Sequence, residues 1–388
     1  MHAKVVKKLF SHGAACRRVL ELIRTLAREL DAKGFGKIKI MNFCGTHEWV
    51  VTHYGIRSVM PSNVELVAGP GCPVCITPSY VVRYAIDLAM EGVTVMTFGD
   101  MARVPVEGSP SSLIEARAMG GRVEIVYSFV DALERVRKER SETVFLAIGF
   151  ETTAPSYSIP IERRVVPKNL YLLTALRLTP PVMRYVLQLH GSRETPISGV
   201  VAPGHVSTVI GWRAWEFLPR EFGVPTVVAG FEPLDVLMAI AHILRMLLEG
   251  VPKVVNEYRR SVREDGSRVA KESMNRVFRV CDAVWRGIGL VPMSGLDLSK
   301  DYAEWDAYER FGLERVPRES VRHDHPPGCI CDKVILGLAK PTQCPHFMKR
   351  CTPSHPLGPC MVSAEGTCRI WAQSPSLATL SVDRYDHG

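Results

Sequence analysis

A chain of 388 residues is too long for one ordinary core, so two or three units are expected. Hydrophobic residues at 46% and charged residues at 23% exclude bulk disorder. The net charge of +8 is spread over short clusters such as Lys7–Lys8, Arg163–Arg164 and Arg259–Arg260, without an aromatic–basic stripe, which argues against nucleic acid as a partner.

The start, MHAKVVKKLF, is basic but leads into SHGAACRR and not into an apolar run, so no secretory signal is expected and the protein is placed in the cytoplasm. Apolar residues at Val19, Leu20, Ile23, Leu26, Ala27 and Leu30 have helical spacing and predict one amphipathic helix ended by Gly34. Short apolar runs then end at glycine- or cysteine-rich loops. IKIMNF leads into CGTHE, VELVAG into PGCPVC, VTVMTF into GDMARVP, and RVEIVYSF follows a helical stretch. Strands alternating with helices predict parallel sheets with functional loops at the carboxyl ends of the strands.

The pattern then repeats weakly. TVFLAIGF leads into ETTAP, ISGVVA into PGHVS and PTVVAGF into EPLDV, with NLYLLTAL as an added strand. The expected fold is α/β, with two similar Rossmann-like parallel-sheet domains whose loop edges face a cleft. A cysteine-rich third unit follows. The boundaries are a helical segment over 1–35, α/β units over 36–140 and 141–255, and a helical and cysteine-rich unit over 256–388. The composition turns to charged helix-like sequence after Val255, and to Pro, Gly and Cys after Val321. The most apolar stretch, Val236 to Leu248, is broken by His242 and Arg245; it is too short for a bilayer and reads as a buried helix.

Eleven cysteines in a long chain without a secretory signal point to metal or redox chemistry rather than a disulfide framework. Cys44 directly follows a strand, and Gly45 allows the turn into a helix whose positive end would favour the thiolate. His47 and Glu48 offer a proton acceptor or a metal ligand. Cys72 and Cys75, in GPGCPVC, are spaced to close a small disulfide or to grip one metal ion. The tail holds Cys329, Cys331, Cys344, Cys351, Cys360 and Cys368. Four thiolates suit a [4Fe–4S] cluster or zinc, and the two left over favour a cluster beside a spare dithiol. Glu151, Thr152 and Thr153 in GFETT, with His205 and Ser207 in PGHVS, stand at strand ends. They could bind an anionic or diatomic ligand, although such residues also cap helices. No GxGxxG or P-loop follows any strand, so no nucleotide site is indicated.

FCGTHE, GPGCPVC, GFETT, PGHVS and CTPSHPLGPCMVSAEGTC, in this order, resemble the HypD family of [NiFe]-hydrogenase maturation factors, from about residue 10 to Cys368. The resemblance implies a scaffold, not a free-standing metabolic enzyme. It works with a small HypC-type chaperone, takes cyanide from a HypE-type donor, and assembles a transient iron carrying cyanide and carbon monoxide ligands. It implies that Cys44 holds that iron with a partner cysteine, that Cys72 and Cys75 are redox-active, and that Thr46 and His47 share the site. A [4Fe–4S] cluster would sit on Cys331, Cys344, Cys351 and one of Cys329 or Cys368, leaving Cys360 in the spare pair. Asp332 and Phe347–Met348 depart from the family's pattern beside those ligands. An iron–sulfur thiol–disulfide reductase of ferredoxin–thioredoxin reductase type is the alternative, with a zinc-stabilised binding protein behind it.

Overall fold

The computed structural model describes residues 13–317 and 324–374. The first residues of the expected 1–35 segment, Val321 and the end of the 256–388 unit lie outside that range. Among the described residues eleven strands form two sheets. The first holds β1 (Ile38–Asn42), β2 (Val64–Ala68), β7 (Ile197–Pro203), β8 (Thr226–Ala229) and β9 (Val254–Asn256), in the order β2-β1-β7-β8-β9. Every pairing in it is parallel. The second holds β3 (Thr94–Thr97), β4 (Val123–Ile125), β5 (Thr143–Gly149), β6 (Leu170–Arg177), β10 (Phe278–Trp285) and β11 (Gly289–Leu298), in the order β10-β11-β6-β5-β3-β4.

The α/β class with parallel sheets is as expected. The chain does not, however, divide into consecutive units at residue 140. β3 and β4 leave the first half to pair beside β5, and β7 returns to pair with β1, Asn42 standing opposite Val201. Strand periodicity reports which residues face a core, but not which strand lies alongside. A second correction falls at 278–298, read as helix-like. The helix Arg268–Val277 ends before it, and an antiparallel hairpin follows that extends the second sheet through β11 and β6. Its first half exposes Arg279, Val280 and Asp282 and its end buries Ala283, Val284 and Trp285 in a row, so no two-residue alternation marked it as a strand.

The first helix, Ala14–Ala32, buries Leu20, Ile23, Leu26, Ala27 and Leu30 as its spacing requires, and Gly34 follows at φ +82°. It lies on the helix Pro233–Glu249, which begins with a reciprocal Glu232–Asp235 capping box and ends at Gly250 in the left-handed region. That helix buries Val236, Leu237, Ile240, Ile243 and Leu244; each such side chain contributes ~1.5–3 kcal/mol of burial. Among the described residues no helix is long and apolar enough to cross a membrane.

Candidate functional site

Both thiol loops sit at the carboxyl end of the first sheet. β1 ends at Asn42, and Cys44, in extended conformation, opens the helix Gly45–His53. A Cβ on Gly71 would stand 2.5 Å from the Cys44 nitrogen, and one on Gly45 would stand 2.6 Å from Glu365 Cβ. Glycine at both positions is therefore what lets the Cys44 turn, the loop after β2 and the tail touch backbone to backbone. Cys44 was expected to be an acidic thiol. The His47 and Thr46 backbone N–H groups and the Thr46 hydroxyl do pull in that direction, but burial outweighs them and Glu365 adds to it, pushing the thiol up to about 11.

Cys72 and Cys75 form a disulfide with Cα atoms 5.3 Å apart, at the start of the short helix Pro73–Ile76. Cys72 Sγ also accepts from the Cys75 N–H at 3.2 Å. Cys75 Sγ lies 4.0 Å from the carbonyl oxygen of Pro359, next to Cys360. Cys44, Cys72, Cys75, Glu365 and Thr367 line one narrow pocket with room for about one water (≈ 10 Å³).

Three short tail helices, Cys331–Ile335, Pro359–Val362 and Thr367–Ala372, bring the sulfurs of Cys331, Cys360 and Cys368 within 4.8 Å of one another, all buried. Cys329 Sγ is 3.2 Å from Cys331 Sγ, and the Leu357 N–H donates to Cys351 Sγ at 3.3 Å. Hydrogen bonds from Cys331 and Cys368 hold the Cys360 thiol well below its ordinary range, and Cys368 is correspondingly raised. The structure thus groups Cys360 and Cys368 with Cys331, and does not bring Cys344 into that group. Three to five clustered soft donors fit a thiophilic metal ion or an iron–sulfur cluster.

The remaining expected residues separate sharply. Glu48 is neither base nor ligand, because its carboxylate is saturated. It accepts from Asn42 Nδ2 (3.0 Å), Thr52 Oγ1 (3.1 Å), Arg57 Nη2 (3.0 and 3.1 Å) and Trp371 Nε1 (2.7 Å). Arg57 also lies over the Trp371 ring at 4.8 Å. This knot, spanning β1 to the last tail helix, carried no sequence signal. His47 is wholly buried and neutral, pushed down to about 4 by that burial; its Nε2 donates to the Gly230 carbonyl at 2.9 Å, and Nδ1 has no partner among the described residues. Phe231 stacks between His47 and His205, at 4.8 and 3.9 Å. His205 is exposed. It stands beside the Cys44 loop because β7 adjoins β1 in one sheet, and not across a cleft between duplicated halves.

Glu151 accepts from the Thr179 N–H and hydroxyl, both at 2.7 Å, fastening β5 to the helix after β6, and burial pushes it up to about 7. Thr152 is exposed, and Thr153 sits against Gly149. Ser207 Oγ donates to the Pro203 carbonyl and accepts from Trp215 Nε1, each at 2.8 Å. Glu151 and Ser207 are therefore engaged in holding the sheets' ends, whereas Thr152 stays exposed.

These features define an α/β protein in which thiols from two sheet-end loops meet a buried cysteine cluster. A family model described as "HypD: Hydrogenase formation hypA family" matches residues 16–374. Relatives named hydrogenase maturation factor HypD are similar along nearly the whole length. Identity is 40% to that of Azotobacter vinelandii (93% of this chain, 94% of the relative), 39% to that of Cupriavidus necator (92% and 94%) and 36% to that of Escherichia coli (92% and 94%). The chain belongs to the HypD family of hydrogenase maturation factors.

Proposed function

We propose that the protein is the scaffold on which the iron of a [NiFe]-hydrogenase receives its cyanide and carbon monoxide, with Cys44 as the iron-holding thiolate. The observation that carries this reading is the convergence of Cys44, the Cys72–Cys75 pair and the tail segment on one pocket. The iron is cargo, held between Cys44 and a thiolate of a small HypC-type chaperone. A HypE-type partner presents a thiocyanate, R–S–C≡N. Its sulfur–carbon bond breaks with two electrons and one proton to give R–SH and cyanide, which binds the iron. The Cys72–Cys75 dithiol supplies the two electrons and two protons as it closes to the disulfide, releasing one proton to solvent.

Cys331, Cys360 and Cys368, with Cys329 or Cys351 as the fourth donor, would hold a [4Fe–4S] cluster, which when bound supplies electrons singly at low potential. Cys75 against the Pro359 carbonyl puts the thiol pair beside the segment bearing Cys360. His47, kept neutral, orients Phe231 and the exposed His205 at the same sheet end. Thr46 and the His47 N–H are placed to donate to the Cys44 sulfur once it is a thiolate.

The test is an infrared spectrum of the protein isolated without oxygen together with its small partner. Bands of metal-bound cyanide and carbon monoxide, lost in Cys44→Ala while tail iron and sulfide persist, are the expected result. A brown, sulfide-containing protein without such bands would instead be a thiol–disulfide reductase, in which Cys44 has no task.

A further inference from the structure

Arg286 is a buried cation that none of the motifs above contains. It begins the turn from β10 to β11, and its side chain is 2% exposed. Its backbone N–H donates at 2.9 Å to the carbonyl of Ile76, the last residue of the helix Pro73–Ile76 that follows Cys72. Nε donates to the Asp324 carbonyl at 2.8 Å and Nη2 to the Pro105 carbonyl at 3.1 Å. The Asp324 carboxylate accepts the Ser79 N–H at 3.0 Å and stays 3.7 Å from Nε. Nη1 is left with no water contact and no partner among the described residues.

The turn also lies directly on the cysteine cluster's first helix. A Cβ on Gly287 would stand 3.1 Å from Asp332 Cβ and 3.2 Å from its Cα, and Asp332 follows Cys331. After Asp324, the groups whose charge acts on Arg286 are the thiols of Cys331 and Cys329. Neighbouring His325 is pushed down to about 4 by burial and is neutral, so it does not share that role. A buried guanidinium nitrogen with two unmet hydrogens is costly unless an anion meets it; the Asp324 carboxylate stands at Nε and leaves Nη1 unmet, and the next anions at hand are the cysteine sulfurs.

We propose that Arg286 is the counter-charge of the tail cysteine centre, a positioning residue whose Nη1 donates to the Cys329 or Cys331 sulfur and favours the more negative state of whatever these thiolates bind. The inference rests on the reading of the tail as an iron–sulfur site, and adds to it a residue that sets the potential. A fixed positive charge beside a redox centre makes accepting an electron easier, so removing it lowers the midpoint potential.

The experiment is a redox titration, followed by electron paramagnetic resonance, of the full chain reconstituted without oxygen with iron and sulfide. Wild type, Arg286→Lys and Arg286→Met are compared at equal iron and sulfide content. The expected result is a reduction equilibrium at least tenfold less favourable in Arg286→Met, about 59 mV for a one-electron couple, with Arg286→Lys closer to wild type. Identical potentials in all three overturn the inference and leave the cluster reading standing. A wild type that takes up no iron and sulfide overturns both. If Arg286→Met does not load, wild type labelled with ¹⁵N-arginine decides: electron spin-echo coupling to a guanidinium nitrogen is expected, and its absence overturns the proposal.

Discussion

Replacing Glu48 with Gln tests whether the knot beneath Cys44 holds the site together. The carboxylate accepts from four residues, and Arg57 and Trp371 can only donate. If the new amide nitrogen takes the Oε1 position, it faces Arg57 Nη2 and Trp371 Nε1, donor against donor. If it takes the Oε2 position it still faces Arg57, and Asn42 must turn its amide over. That turn withdraws the Asn42 Oδ1 now 3.5 Å from the Cys44 N–H. Either way Arg57, 18% exposed, loses its carboxylate partner. Breaking a buried pair from one side costs ~3–5 kcal/mol, well above the ~0–1 kcal/mol of an exposed pair. Urea denaturation of Glu48→Gln, Trp371→Phe and the double variant should give that loss for the first, and less than additive losses for the pair, because both remove the 2.7 Å bond. A Glu48→Gln protein within about 1 kcal/mol of wild type would refute the reasoning, since an exposed pair would do as much.

Two further outcomes are expected. Glu151 has a folded pKa raised from its ordinary 4.5 to about 7, so the native state holds the extra proton between those values. The contribution of Glu151 to stability is then greatest below about pH 4.5, falls as pH rises toward 7 and is flat above; its span is on the order of 3 kcal/mol. Glu151→Gln, compared with wild type by urea denaturation from pH 5 to 8, should lack that slope. In the tail, a Cβ on Gly366 would stand 2.2 Å from the Cys360 carbonyl oxygen, whereas one on Gly36 would meet nothing within 4 Å. Gly366→Ala should lower the bound metal and sulfide of the purified protein severalfold while Gly36→Ala leaves them unchanged, measured by elemental analysis.

What the sequence disclosed was whatever is local. Cys44 and the Cys72–Cys75 pair were legible because a strand run followed at once by Cys and Gly marks a sheet-end loop, and both lie where that reading places them. The tail cysteines declared a soft donor set by density alone. Glu48 reads from the sequence as a proton acceptor or metal ligand because the donor that occupies it most closely, Trp371, is 323 residues away. The bonds that engage Glu151 and Ser207 were hidden for the same reason, Thr179 and Trp215 being invisible from the loops themselves. Cys44's expected acidity failed because a helix terminus is a local feature, whereas desolvation depends on the tail segment that folds over it. The division at residue 140 failed because the pairing of β1 with β7 leaves no mark in either strand.

That pairing also sets a timetable for the newborn chain. The Lys39 N–H donates to Ser198 Oγ, 159 residues further on, so at ~5–20 residues per second β1 waits roughly 8–30 s for the neighbour that covers its open side. Through that interval β3, β4, β5 and β6 of the second sheet emerge and can pair among themselves, while the Ile38–Asn42 edge offers bare N–H and C=O groups to any other extended chain. Slower translation across residues 43–196 therefore lengthens the time for which that edge stays uncovered, whatever the final stability of the fold.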